Sequence, residues 1–224
     1  MNPSLIFDMD GTLFQTDKIL KVSLQDTFDH LRAQDKWDAD TPIDKYREIM
    51  GVPLPEVWET LLPDHSIAIR EEVDAIFLNR LIQNIRSGKG ALYPNVLDVF
   101  SVLKEKGYNI YIASNGLTEY LQAIVEFYGL DKWVTETFSI EQIRTLNKSD
   151  LVKTIIDKYE ITNAAVVGDR LSDFKAARDN GLLSIGCNFD FAREEELNQA
   201  DHIINNFMEL PTIVPTLFKQ LYNI

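Results

Sequence analysis

The sequence predicts an α/β fold, a Rossmann-like three-layer core around a parallel sheet with a small all-helical domain inserted after the first strand. Three observations carry this. Short apolar runs ending in polar residues or glycine alternate with segments of helical period. The alternation stops between about Thr16 and Leu92, where only helix-like patterns occur. That interval then leaves through RSGKGALYP, a stretch with two glycines and a proline. Repeated strand–helix–strand units demand parallel pairing with helices on both faces, and ligands of such sheets bind outside the carboxyl ends of the strands. The expected domains are therefore 1–15 with 93–224 for the core, and 16–92 for the helical insert.

In chain order, Ser4–Asp10 reads as a buried strand. The insert contributes helices over Ile19–Arg32, Ile43–Met50, Pro55–Leu61 and Ser66–Ile85. Asn95–Lys106 puts Val96, Val99, Phe100 and Leu103 on one helical face before Gly107. Leu117–Tyr128 does the same with Leu121, Ile124, Val125 and Tyr128 before Gly129. Further strands are expected over Tyr108–Ser114, Val134–Ile140, Ala164–Gly168 and Leu183–Cys187. Helices over Asp150–Tyr159 and Ser172–Asn180, the latter stopped by Gly181, complete the series.

Composition narrows the function. The chain has 224 residues, 45% of them hydrophobic, and a formal net charge of −13. That charge disfavours binding of nucleic-acid polymers, whose affinity comes from Lys and Arg on phosphates. No segment reaches the roughly 18 consecutive apolar residues of a membrane span. The N-terminus lacks the basic and apolar regions of a secretory signal, and one cysteine, Cys187, makes no internal disulfide. A cytoplasmic protein acting on small molecules is the expectation.

The chemistry concentrates at strand ends. In LIFDMDGTLFQTD, Asp8 and Asp10 stand two residues apart, so on a strand both point to one side while Met9 points to the other. Two close carboxylates repel, which suits one ionised nucleophile and one protonated acid unless a cation intervenes. Gly11 and Thr12 supply backbone N–H groups and a hydroxyl suited to phosphate oxygens; an ordinary Asp-Gly turn is the alternative. IYIASNG ends in Ser114 and Asn115, natural donors to a phosphoryl group or simply a turn. AAVVGDRLSDFKAARDNG places Asp169 at a strand end and Asp173 one helical turn on, an oxygen set suited to Mg²⁺. Asp173 also fits a solvated first-turn residue favoured by the helix dipole.

DMDGTLF, SNG, a lysine opening the helix before the fourth strand, and GDRLSD resemble, in order and spacing, the four motifs of the haloacid dehalogenase-like superfamily. The insert falls where that family places its helical cap. The second aspartate, Asp10, favours phosphoryl transfer, because the dehalogenases of the family generally lack it. The resemblance implies a Mg²⁺-dependent phosphomonoesterase acting on a small phosphorylated metabolite. Asp8 would be the nucleophile and Asp10 the acid and base. The metal would be held by Asp8, the backbone carbonyl of Asp10 and Asp169, with Asp173 in or beside its shell. Ser114 and Lys148 would bind phosphate, supported by Thr12 and Asn115. A phosphomutase of the β-phosphoglucomutase kind shares these residues, and a non-catalytic phosphate-sensing protein is the alternative outside enzymes.

Three positions depart from the family pattern. Lys148 is followed by Ser149 where proline is common, which keeps Lys153 as a second candidate. Gln15 stands where many relatives carry aspartate. Arg170 follows Asp169 and is expected near the rim of the metal site. The resemblance also implies a cap that closes over the site and sets specificity, and Arg47 to Trp58 sits where similar proteins carry a specificity loop. Arg47 itself reads first as a dipole-favoured helix C-terminal arginine, and Trp37, Trp58 and Phe77 read as core.

Overall fold

The structure, a computed structural model, describes residues 2–49, 54–190 and 192–222. The chain divides into two compact units, Met1–Gln15 with Ala91–Ile224, and Thr16–Gly90.

The first unit is built on a parallel sheet of β1 (Ser4–Phe7), β2 (Asn109–Ser114), β3 (Glu136–Ser139), β4 (Ala164–Gly168), β5 (Leu183–Cys187) and β6 (His202–Ile204), in the order β3-β2-β1-β4-β5-β6. The central strand β1 is buried along its length, because parallel strands covered on both faces need apolar residues at successive positions. On one face Phe7 meets Phe100 and Phe207 at ring-centroid distances of 5.0 and 6.0 Å. On the other, Ile6, Tyr111 and Val166 pack against Leu151, Val152, Ile155, Ala176 and Ala177. Helices therefore cover both faces, giving three layers.

The expected strands all form, β4 and β5 with the expected ends and β1, β2 and β3 with shifted ones. β1 stops at Phe7 rather than Asp10, although Asp8 N–H still donates to the Val167 carbonyl at 2.8 Å. Three N–H groups, of Leu13, Phe14 and, at a longer 3.4 Å, Thr12, converge on the Met9 carbonyl, so the chain turns sharply where a longer strand was expected. β6 was absent from the sequence reading, since its three residues give too short an apolar run to identify.

Phe7 is in register with Ile112 and Val167, and Gly168 with Gly186. Asp8, Ser114 and Asp169 therefore leave the sheet at the same end, a consequence of parallel pairing. The core helices are α5 (Val96–Glu105), α6 (Thr118–Tyr128), α7 (Lys148–Tyr159), α8 (Leu171–Asp179), α9 (Glu194–Leu197) and α10 (Leu210–Tyr222), following α1–α4 of the insert. α7 begins two residues earlier than expected, because the Asn147 side chain accepts the Ser149 N–H at 2.8 Å and caps it.

The second unit contains α1 (Thr16–Ala33), α2 (Ile43–Glu48), α3 (Leu54–Leu61) and α4 (Ile67–Arg86). Trp58 and Phe77 are fully buried with ring centroids 5.3 Å apart, and Trp58 donates to Asp74 at 2.6 Å. They are core, as their helical spacing suggested. Asn84, itself buried, donates to Ser23 and Asp26 and ties α4 to α1. Arg47 makes two bonds to the Asp17 carboxylate, each 3.1 Å, so its charge is engaged within the unit. Of the segment expected to set specificity, Met50 to Pro53 lie outside the described residues. No described helix is long and apolar enough to cross a membrane.

Candidate active site

The carboxyl end of the sheet brings three carboxylates around one ammonium. Lys148, the first residue of α7, places Nζ 2.6 Å from Asp8 Oδ1 and 2.5 Å from Asp173 Oδ1. All three residues are buried, as is Asp169. Carboxylate oxygens of Asp8, Asp169 and Asp173 lie within 4.8 Å of one another. Lys153, the other candidate, is exposed and paired with Asp157 at 2.7 Å. Starting α7 at Lys148 is what aims that side chain inward.

Glycines permit this crowding. A Cβ on Gly168 would stand 2.2 Å from Asp173 Cγ, so only glycine lets Asp173 fold back over the end of β4. Asp173 is held there by accepting the Arg170 N–H at 3.1 Å. Gly11, at φ +75, passes so close that its Cβ would lie 2.5 Å from Asp169 Oδ2. Asp169 is bracketed by the Thr12 hydroxyl, which donates at 3.1 Å, and by Arg170 Nε at 3.3 Å. Thr12 thus positions a carboxylate, where a phosphate contact was expected. Arg170 sits at the edge of the cluster, as its place after Asp169 suggested.

The electrostatics match the crowding. Burial pushes the Asp8 carboxyl well above the ordinary range, Lys148 pulling it back only partly and Asp173 and Asp169 adding to the rise. Burial and then Asp173 raise Asp169 to about 7. Burial opposes the Lys148 charge, but Asp173 and Asp8 outweigh it and hold the ammonium above its usual pKa. Three carboxylates against one buried ammonium leave excess negative charge in a low-dielectric site, and the donors are all oxygens. Both features fit a hard divalent cation held by Asp8, Asp169 and Asp173.

The remaining expected residues lie where β1 and β2 leave the same end of the sheet. Ser114 is buried, and its Oγ accepts the Gly116 N–H at 3.0 Å, which leaves the hydroxyl proton to be donated elsewhere. The loop after β2 is pinned by Ser139, whose hydroxyl donates to the Gly116 carbonyl at 2.7 Å. Asn115 is exposed and lines, with Thr145, Asn147, Lys148, Ser172 and Lys175, a cavity of about 340 Å³. Asp10 lies beyond the end of β1 and is half-buried; its Oδ1 accepts the Tyr120 hydroxyl at 2.5 Å. Tyr120 was not foreseen, since its partner is 110 residues away and no local pattern announces it. Gln15 donates its amide to the Leu92 carbonyl at 2.6 Å, a bond that the aspartate of many relatives could not make.

Residues 4–181 match the family of haloacid dehalogenase-like hydrolases. The chain belongs to that family. Among relatives of this hydrolase are a phosphoglycolate phosphatase of Agrobacterium fabrum, 24% identical over 99% of this chain and 94% of that protein, and a 5'-nucleotidase of Pseudomonas aeruginosa, 23% identical over 87% and 86%. CbbY from Rhodobacter sphaeroides, solved in complex with phosphate, shares the fold with a TM-score of 0.76 at 21% identity, covering 94% of the hydrolase and 96% of CbbY.

Proposed function

We propose that this hydrolase is a Mg²⁺-dependent phosphatase that cleaves a small phosphomonoester through an aspartyl-phosphate on Asp8. The observation that carries the reading is the buried Asp8–Lys148–Asp173 arrangement with Asp169 beside it. A fold needs no such cluster, because burying three carboxylates against one ammonium costs stability. Relatives that bear the names of phosphatases and a nucleotidase support the same reaction class.

In the first step an Asp8 oxygen forms a bond to phosphorus as the bond from phosphorus to the leaving oxygen breaks. Asp10 gives its proton to that oxygen. In the second step Asp10 takes a proton from water, whose oxygen attacks the phosphorus of the aspartyl-phosphate and regenerates Asp8. Asp8, Asp169 and the Asp10 backbone carbonyl, with Asp173 in or beside the shell, would hold Mg²⁺, which would supply the positive charge that lets one anion approach another. Lys148 and the Ser114 hydroxyl steady the transferring oxygens, with Asn115 in support. Thr12 acts from behind by orienting Asp169. Positioning and charge stabilisation supply most of the catalysis in phosphoryl transfer.

Purified protein assayed with Mg²⁺ on a panel holding phosphoglycolate, nucleoside monophosphates, sugar phosphates and an aryl phosphate tests the proposal. Metal-dependent phosphate release, lost on chelation, is expected. Isomerisation of a sugar phosphate without net release would point to a mutase, and inertness toward the whole panel would remove the enzymatic reading.

A further inference from the structure

We propose that Tyr120 is a positioning residue for the general acid, an inference that rests on the assignment of Asp10 above. The Tyr120 hydroxyl donates to Asp10 Oδ1 at 2.5 Å, which leaves Oδ2 to carry the proton that the leaving oxygen receives. Asp10 sits past the end of β1, bridged through its backbone to Phe14. A general acid must stand within hydrogen-bond reach of the leaving oxygen to be useful, so a fixed donor on its carboxyl group bears directly on its placement.

Tyr120 is itself well held. It is buried at 6% exposure in the first turn of α6. Its ring lies against the backbone of Gly116, where an added Cβ would be 3.1 Å from Tyr120 Cδ1 and 3.2 Å from Ser114 Oγ. The same loop therefore presents the Ser114 hydroxyl and seats the ring that holds Asp10.

The hydroxyl is removed by Tyr120→Phe, which keeps the ring. The readout is kcat/KM on two esters, one with an alkyl leaving group and one with a nitrophenyl leaving group. An alkoxide needs the proton from Asp10 as it departs, whereas nitrophenolate leaves without it. General acids contribute about 10²–10⁴-fold, and loosening one forfeits part of that. We expect about a tenfold loss on the alkyl ester and less than about threefold on the nitrophenyl ester. In an Asp10→Asn background the same substitution should cost nothing further on the alkyl ester, since the group it positions is gone. Equal losses on both esters, unchanged rates, or an undiminished effect in the Asp10→Asn background would overturn the proposal while leaving the phosphatase assignment intact. A wild-type protein that hydrolyses neither ester would remove both.

Discussion

Gly11→Ala isolates the close approach on which the acidic cluster depends. Gly11 has φ +75, and an alanine Cβ there would lie 2.5 Å from Asp169 Oδ2, 2.8 Å from Cγ and 2.9 Å from Oδ1. Ordinary contact begins near 3.4 Å, so the carboxylate must retreat by 3.4 − 2.5 = 0.9 Å. It has little freedom to do so between the Thr12 hydroxyl and Arg170. Metal-ligand distances tolerate only about 0.2 Å, and a 1 Å misplacement in an active site costs about 10²-fold. The left-handed backbone adds about 1–2 kcal/mol of strain for any residue with a Cβ. Gly181→Ala is the control, because Gly181 has φ +65 and nothing within 4 Å of its Cβ position. Phosphate release titrated with Mg²⁺, alongside thermal unfolding, reads both effects. Both variants should lose a few degrees of Tm, at about 2–4 °C per kcal/mol for a chain of this size. Only Gly11→Ala should need far more Mg²⁺ and lose about 10²-fold in kcat/KM. Wild-type Mg²⁺ activation in Gly11→Ala would refute the reasoning.

Two further outcomes follow from the cluster. Lys148→Met should abolish turnover by leaving Asp8 and Asp173 facing each other, whereas Lys153→Ala should leave activity unchanged and cost at most about 0.5 kcal/mol in urea unfolding, because it loses only an exposed helical pair. Metal-free protein should grow more stable as pH falls from 8 to 6. Asp169 rises from an ordinary 3.8 to about 7 on folding, so the folded state holds the extra proton and its stabilisation is lost as pH rises through about 7. Between pH 8 and 6 the gain should be about 1.4 kcal/mol, one pH unit's worth of that shift. Saturating Mg²⁺ should flatten the trend, and calorimetry at several pH values with and without the metal checks it.

The strand ends were legible because parallel pairing forces every carboxyl terminus to one side, so motifs at Asp8, Ser114 and Asp169 had to converge. Ala164–Gly168 and Leu183–Cys187 form with the expected ends, each bounded by glycine or polar residues. Asp8 and Asp10 were expected to share a strand face, and the early stop of β1 replaces that with a turn knotted on the Met9 carbonyl. No pattern in the letters distinguishes these outcomes, since an Asp-Gly pair serves both. Contacts between distant residues were also hidden, such as Thr12 with Asp169 and Tyr120 with Asp10, because a hydroxyl's partner depends on packing rather than on spacing. α10 was legible yet missed. Leu210, Val214 and Phe218 recur every fourth residue and are all buried, but Pro211 and Pro215 disguised the helical period.

The central claim is that Asp8 carries the phosphoryl group. Acid quenching of the enzyme during turnover of a ³²P-labelled phosphomonoester in Mg²⁺, followed by proteolysis and mapping of the label, tests it most directly. The account predicts an acid-stable, hydroxylamine-labile label on Asp8, absent from Asp8→Asn, which should release no phosphate. Full turnover by Asp8→Asn, or a label mapped to another residue, would contradict it.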